Sequence, residues 1–229
     1  MRQIAITMAL FTLALLSWQC EEPVKGTVIN GEIQNATNLQ AFLDAIEVGK
    51  ASNVVASADI GETGQFKMEF PEGIEPGPYQ LRIGAKKVTL FMDGTEKVVR
   101  INGDLNTLQT YDFTLSGSSD SESMLSLMQG VYKREVDAEG VKTYIDTVSD
   151  AGLGALVAFQ VFGTSGQFLD VQKQALDRLK QESPNSRMIP SYMTMLNAIE
   201  QQVAKQKASE LVQEGMEAPD ITLPAPDGK

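Results

Sequence analysis

The sequence predicts an α+β protein in which an antiparallel β-sandwich is followed by a helical segment. Runs of alternating apolar and polar residues, separated by turns rich in glycine and proline, fill residues 24–118 and are typical of short strands. Apolar residues then recur at helical spacing over residues 119–212. The chain has 229 residues, of which 42% are hydrophobic, so one or two packed domains can form.

The β-rich part begins with a glycine-interrupted strand within residues 24–33. Residues 54–60 alternate, and a turn at 61–64 leads into Gln65–Phe70, which alternates strictly. We therefore expect these two strands to form a hairpin. Residues 39–47 fit either a strand or a short helix, and periodicity does not decide between them. Further strands are predicted at 79–83, 88–92, 98–101 and 111–115. Even spacing of such short strands indicates a small sandwich.

The helical part follows a polar break at residues 116–123. Ser119, with Glu122 three residues later, fits a capping box and predicts the start of a helix. The stretch 153–162 is mostly apolar but too short to span a membrane, so we expect a buried core helix. Its flank, Gly152-Leu153-Gly154, begins like a dinucleotide fingerprint but lacks the final small residue, and close helix packing is the better interpretation. Helices are predicted at 124–132, 141–148, 153–162, 167–181 and 188–212.

The composition excludes several classes of chemistry. The chain has no histidine and one cysteine, which excludes Ser-His-Asp catalysis, imidazole-ligated zinc and an internal Cys-x-x-Cys pair. A net charge of −11 argues against nucleic acid as a partner. Asp93, Glu96 and Asp104 flank turns without the spacing of an EF-hand, so turn chemistry is predicted there. The ten methionines are interpreted as core residues. We predict no metal and no cofactor.

The N-terminal residues have the features of a secretory signal. Arg2 supplies a positive charge, and residues 4–16 form an uncharged stretch that is too short to span a bilayer comfortably. Cys20 follows this stretch and is itself followed by acidic residues. The arrangement resembles the bacterial lipoprotein pattern, which implies that residues 1–19 are removed and that Cys20 carries the lipid. The alternative is an ordinary cleaved signal with a cysteine near its end.

Two motifs near the C-terminal end carry a second resemblance. Gly-x-x-Ala-Pro-Asp is followed closely by Asp-Gly-Lys, and the residues involved are Gly215, Ala218, Pro219, Asp220, Asp227, Gly228 and Lys229. Together they resemble the opening of a thioredoxin-like domain of the TlpA, ResA and peroxiredoxin type, with Ile221 in place of the usual aromatic residue.

The resemblance implies four parts: a lipoprotein signal peptide at 1–19, an N-terminal β-sandwich module at 20–117, a helical segment at 118–213 and the incomplete start of a thioredoxin-like domain at 214–229. A complete relative of this type would be a thiol–disulfide oxidoreductase. No catalytic residue can be assigned here, because the two active-site cysteines of the family have no counterpart in this chain. Whether the chain belongs to an enzyme therefore stays open.

The implied function is that of a non-catalytic, membrane-anchored region that positions a redox domain. The implied location is the bacterial cell envelope, facing the periplasm or the cell surface. Expected partners are the membrane, through the lipid on Cys20, and the chain's own thioredoxin-like domain or a disulfide-containing client protein. The alternative function is that of a standalone lipid-anchored binding lipoprotein with no redox role. A hydrolase with paired carboxylates is disfavoured, because no acidic pair has a recognisable site context.

Overall fold

The computed structural model describes residues 25–49 and 51–210, with side chains described through residue 207. It confirms the predicted fold class, because eight strands in two sheets precede the helices. The strands are β1 (Thr27–Gln34), β2 (Gln40–Ala45), β3 (Asn53–Asp59), β4 (Gln65–Phe70), β5 (Gly77–Ile83), β6 (Lys86–Met92), β7 (Val98–Asp104) and β8 (Phe113–Ser116). The α-helices are α1 (Ser119–Tyr132), α2 (Ala138–Thr147), α3 (Ala151–Phe162), α4 (Leu169–Glu182) and α5 (Met188–Glu210).

The strands form two open four-stranded sheets that face each other. Sheet 1 has the order β4-β1-β7-β8, and sheet 2 has the order β3-β2-β5-β6. All neighbours are antiparallel except β1 and β7, which run parallel. Alternate side chains of both sheets point into one shared core, as expected for a sandwich. Its fully buried members include Ile29, Ile33, Leu43, Leu81, Leu90 and Ile101.

The predicted hairpin of β3 and β4 is wrong. The two strands are consecutive but lie in different sheets, β3 beside β2 and β4 beside β1. In the register of β4 with β1, Phe66 lies opposite Gly31, and a Cβ added to Gly31 would lie 2.0 Å from the Phe66 ring. Because Gly31 has no side chain, β1 provides the space that the Phe66 ring fills. The turn after residue 60 therefore carries the chain from one sheet to the other.

The first helix begins one residue before the predicted capping box. The N-cap is Ser118, whose side chain accepts the N–H of Ser121 at 3.4 Å. Glu122 accepts the N–H of Gly117 at 2.8 Å, so its side chain still satisfies a backbone donor at the helix start. It lies four residues after the N-cap Ser118, whereas the predicted capping box has a spacing of three. The cause of the shift is tertiary, because Ser118 is held at the edge of β6.

Helix α3 is a buried core helix, as predicted. Nine of its residues are buried, including Leu153, Leu156 and Val157. A Cβ added to Gly154 would lie 2.9 Å from the Ile145 carbonyl oxygen of α2. This close approach confirms that Gly154 serves helix packing, whereas a Cβ added to Gly152 would lie 2.9 Å from the Phe91 ring of β6. Residues 40–45 form a strand, which decides the ambiguity left by periodicity.

Candidate functional site

The site residues predicted from the sequence lie outside the described residues. This applies to Cys20 and to the members of the two C-terminal motifs, Gly215, Ala218, Pro219, Asp220, Asp227, Gly228 and Lys229. Lipidation and the thioredoxin-like opening therefore stay predictions. Within the described residues, buried polar groups converge where the sandwich and the helices meet, and we call this region the junction.

Strand β6 supplies side chains to both sides of the junction. Leu90 and Met92 point into the sandwich core, whereas Phe91 points to the opposite face and belongs to the helical core. On the same face as Phe91, Thr89 Oγ1 accepts a hydrogen bond from Gln160 Nε2 of α3 at 2.5 Å. Both faces of β6 are thus covered, which explains the nearly continuous apolar run at its end.

Two serines at the start of α1 take the place of a neighbouring strand at the edge of β6. Ser121 Oγ accepts the N–H of Phe91 at 2.9 Å and donates to the C=O of Phe91 at 2.7 Å. Ser118 Oγ lies 3.0 Å from the same carbonyl oxygen and 3.2 Å from Ser121 Oγ. Both serines are buried. The backbone of β6 is therefore satisfied at Phe91, and a further strand cannot pair there.

The buried carboxylate of Glu96 organises the turn after β6. Its side-chain oxygens accept the N–H of Asp93 at 2.9 Å and the N–H of Gly94 at 3.0 Å. Ser118 Oγ lies 3.1 Å from Glu96 Oε1. A hydroxyl has one hydrogen, so Ser118 shares it between the Phe91 carbonyl and the Glu96 carboxylate, which lie at nearly the same distance. Turn chemistry at Asp93 and Glu96 is thereby confirmed.

Asp120 in the first turn of α1 lies among other carboxylates. Burial, followed by the negative charges of Asp150, Asp93 and Glu96, raises the pKa of the Asp120 carboxyl from 3.8 to about 6. Asp150 is occupied as the N-cap of α3, because its Oδ1 accepts two backbone N–H groups at 2.6 and 3.0 Å. Asp120 therefore changes its charge close to neutral pH, at the point where α1 meets the sandwich.

A cavity of about 320 Å³ lies at the junction beside the start of α5. The guanidinium carbon of Arg187 lies 5.0 Å from the centroid of the Tyr79 ring, and Nη2 donates to the Pro78 carbonyl at 3.4 Å. Gly77 has a φ of +136°, and a Cβ added there would lie 2.8 Å from Arg187 Nε. Glycine is therefore required for this close approach. Arg187 Nε is buried and has no hydrogen-bond partner among the described residues.

The junction holds the helices on the sandwich, and the described residues bring together no set of catalytic groups there. Among residues 25–49 and 51–210, no group of three or more potential ligands is arranged to hold a metal ion. Glu75 and Asp150 line the cavity whereas Asp120 does not, and Asp150 is occupied as the N-cap of α3. In the same ranges, no helix combines the length and the apolar character needed to cross a membrane.

A wider groove of about 740 Å³ lies over sheet 1. It is lined by charged side chains of both signs, Glu32 and Asp59 on one hand and Lys67 and Arg100 on the other. Phe66 is the aromatic residue in its lining. Mixed charges with a single aromatic ring define no particular class of ligand, so we assign no function to this groove.

Sequence reasoning missed the residues that build the junction. Ser118 and Ser121 lie within a polar break, where serines are ordinarily exposed, and their only signal was the three-residue spacing that a helix start needs. Arg187 gave no signal, because its partners Tyr79 and Pro78 are about a hundred residues away in the chain.

Comparisons with models of known protein families, with curated proteins and with solved structures found no match to this chain.

Proposed function

We propose that this chain is the non-catalytic, membrane-anchored N-terminal region of a periplasmic thiol–disulfide oxidoreductase of the TlpA-like type. In this proposal a lipid on Cys20 anchors the sandwich to the membrane. The helical segment then sets the position of a redox domain that begins near Gly215. The observation that carries the proposal is the pair of motifs at 215–229, which begin five residues beyond the last residue of the last described helix, Glu210.

The geometry of α5 supports a positioning role. Its first part is fixed on the helical core through buried side chains, namely Met188, Tyr192, Met195, Leu196 and Ile199. Beyond Ile199 the described side chains are mostly exposed. Eleven further residues reach the end of the helix, which corresponds to about 17 Å at 1.5 Å per residue. In the proposal, the length of this helix determines how far the redox domain lies from the sandwich.

The junction supports the same role. Phe91, its serine partners and the Arg187–Tyr79 contact join the sandwich and the helices through side chains of both. A module that positions another domain must hold its own parts in one orientation. In the proposal, this is the function of the buried polar groups at the junction.

Metabolic labelling tests the anchoring half of the proposal. Cells producing the full chain are given radiolabelled palmitate, and Cys20→Ala is compared with the matched variant Ser17→Ala, which alters the same segment but keeps the cysteine. We expect label and detergent-phase partitioning in the unmodified chain and in Ser17→Ala, and loss of both in Cys20→Ala. Equal labelling of the two variants would contradict lipidation at Cys20.

The coding sequence beyond the codon for Lys229 tests the redox half. We expect an open frame that soon encodes Trp-Cys-x-x-Cys, and we expect the protein it encodes to reduce insulin disulfides in the presence of a dithiol. A stop codon with no nearby frame for such a domain would contradict the redox role. The standalone binding lipoprotein would then become the preferred function.

A further inference from the structure

The four edge strands of the two sheets are protected to different degrees. On β4 of sheet 1, Lys67 and Glu69 form an ion pair across the exposed face. Strand β8 is four residues long and leads directly into α1. The edge of β6 in sheet 2 is closed by the hydroxyls of Ser118 and Ser121. Charge, shortness and cover are the common ways in which proteins prevent strand addition at an edge.

Strand β3, the other edge of sheet 2, is less protected, because its one charged residue is Asp59 at its last position. It is seven residues long and pairs only with β2 among the described strands. Its sequence contains no lysine, arginine or proline. Five of its seven residues are exposed, with Val54 56% and Val55 46% accessible. Exposed β-branched side chains on an unpaired edge favour pairing with another strand.

A bulge explains why two consecutive valines are exposed. Leu43 of β2 lies opposite Ala56, whereas the next residue, Asp44, lies opposite Val54. Val55 is therefore the extra residue of β3 and has no partner on β2. The four residues after the bulge, 56–59, continue in regular register with β2.

The charge of the molecule selects the occupant of this edge. Asp59 at the end of β3 and Glu62 in the following turn are exposed, and the chain carries a net charge of −11. Two copies of such a chain repel each other, which opposes pairing of β3 with β3. The same field attracts a strand that carries lysine or arginine.

We propose that β3 is a strand-addition site for an extended, basic segment of a partner protein, with alternating β-branched residues and lysine or arginine near its ends. Main-chain hydrogen bonds to the edge that no described strand occupies supply the affinity, and the net negative charge of the chain, with Asp59 and Glu62 near this edge, supplies the preference for basic segments. This site consists of residues 53–59 and is independent of Cys20, of residues 211–229 and of a redox role.

A synthetic peptide tests the proposal with the full chain in non-ionic detergent. The peptide consists of alternating valine and threonine flanked by lysine; one control has glutamate flanks, and another has a central proline that prevents pairing. Binding is measured by fluorescence anisotropy, and amide hydrogen exchange locates the site. We expect slower exchange within residues 53–59 with the lysine-flanked peptide and no such change with either control. Protection elsewhere, or equal binding of all three peptides, would overturn the proposal.

Two variants that each add one positive charge distinguish binding at the β3 edge from attraction to the net charge of the protein. Val54→Lys places a charge on β3, and Gln65→Lys places one on the exposed face of edge strand β4. We expect Val54→Lys to weaken peptide binding about fivefold or more, and Gln65→Lys to change it less than about twofold. Equal weakening by both would show attraction to net charge alone and would overturn the site.

Salt concentration distinguishes the partner strand from a second copy. Binding of the basic peptide should weaken as salt rises, because screening reduces the attraction. Dimerisation through β3 should strengthen under the same conditions, since screening reduces the repulsion between copies. A dimer in sedimentation equilibrium that forms with rising salt and is lost in Val54→Lys would assign the edge to a second copy and overturn the proposed partner.

Discussion

The two edge strands of sheet 2, β6 and β3, differ in how their outer edges are covered. At β6, α1 supplies serine hydroxyls to the backbone of Phe91, and helices cover the outer face of the strand. At β3, no described strand pairs with the outer backbone edge, and valine side chains are exposed. The comparison shows that an edge need not be closed by another strand. A helix start can close it, provided that its N-cap side chains lie beside the strand.

We expect the two edges to contribute to different properties of the protein, namely stability at β6 and binding at β3. The β6 edge carries the contacts that fix the helices, so substitutions there should affect stability. The β3 edge contributes few buried contacts, so substitutions there should affect binding and leave stability nearly unchanged. Substitutions at the two edges therefore test the comparison directly.

The largest expected effect comes from Phe91→Ala at the β6 edge. Phe91 is buried in the helical core, and its truncation should lower the free energy of unfolding by about 4 kcal/mol through lost burial and a cavity. Urea unfolding followed by circular dichroism measures the change. Val55→Ala at the β3 edge is the matched control, and it should change stability by less than about 0.5 kcal/mol. Similar losses for both variants would break the comparison.

The next effect comes from Ser121→Ala. Removal of the hydroxyl leaves the buried N–H and C=O of Phe91 without the partner that Ser121 provides, which should cost about 2 kcal/mol. The same unfolding experiment applies. Ser119→Ala, an exposed serine of the same helix start, should lie within about 0.5 kcal/mol of the unmodified protein. If Ser121→Ala were equally mild, the hydroxyl would not be what closes the edge.

The smallest effect is a gain from Asp120→Asn that depends on pH. The folded-state pKa of Asp120 is raised from 3.8 to about 6, so folding favours its neutral form. The stability linked to that form is fully present below about pH 4 and is lost as pH rises through about 6. Asparagine removes the charge, so the variant should be more stable at pH 8 by about 1 kcal/mol, a value discounted for partial solvent exposure.

Thermal unfolding at pH 4 and pH 8 measures the gain from Asp120→Asn. The advantage should disappear at pH 4, where the carboxyl of the unmodified protein is neutral in the folded state. Asp112→Asn makes the same change of charge at an exposed position and serves as the control. A gain of equal size for Asp112→Asn, or one that persists at pH 4, would show that the burial of Asp120 and the carboxylates around it are not its cause.

The sequence was sufficient for the fold class and for the helix positions because both depend on local periodicity. The apolar stretch at residues 153–162 predicts a buried helix, and these residues form one. The pairing of strands was not accessible in the same way. Alternation predicts which side of β4 is buried, but it does not predict that β4 pairs with β1, where Gly31 leaves space for the Phe66 ring.

The junction was even less accessible from the sequence. The roles of Ser121 and Ser118 depend on the position of Phe91, about thirty residues away in the chain, and the capping pattern alone placed the helix start at Ser119. The open edge at β3 follows from topology, because the same residues would have been covered in the predicted hairpin with β4. The predicted lipidation of Cys20 and the motifs at 215–229 rest on resemblance and stay predictions.

Native-state hydrogen exchange by NMR tests the central comparison most directly. The amide of Phe91, which donates to buried Ser121, should exchange only through global unfolding in the free protein. The amides of β3 that do not pair with β2 should exchange through local fluctuations, at least about a hundredfold faster. Ser121→Ala should accelerate exchange at Phe91 while leaving the β3 amides unchanged. Equal protection of Phe91 and of the outward amides of β3 would contradict the account.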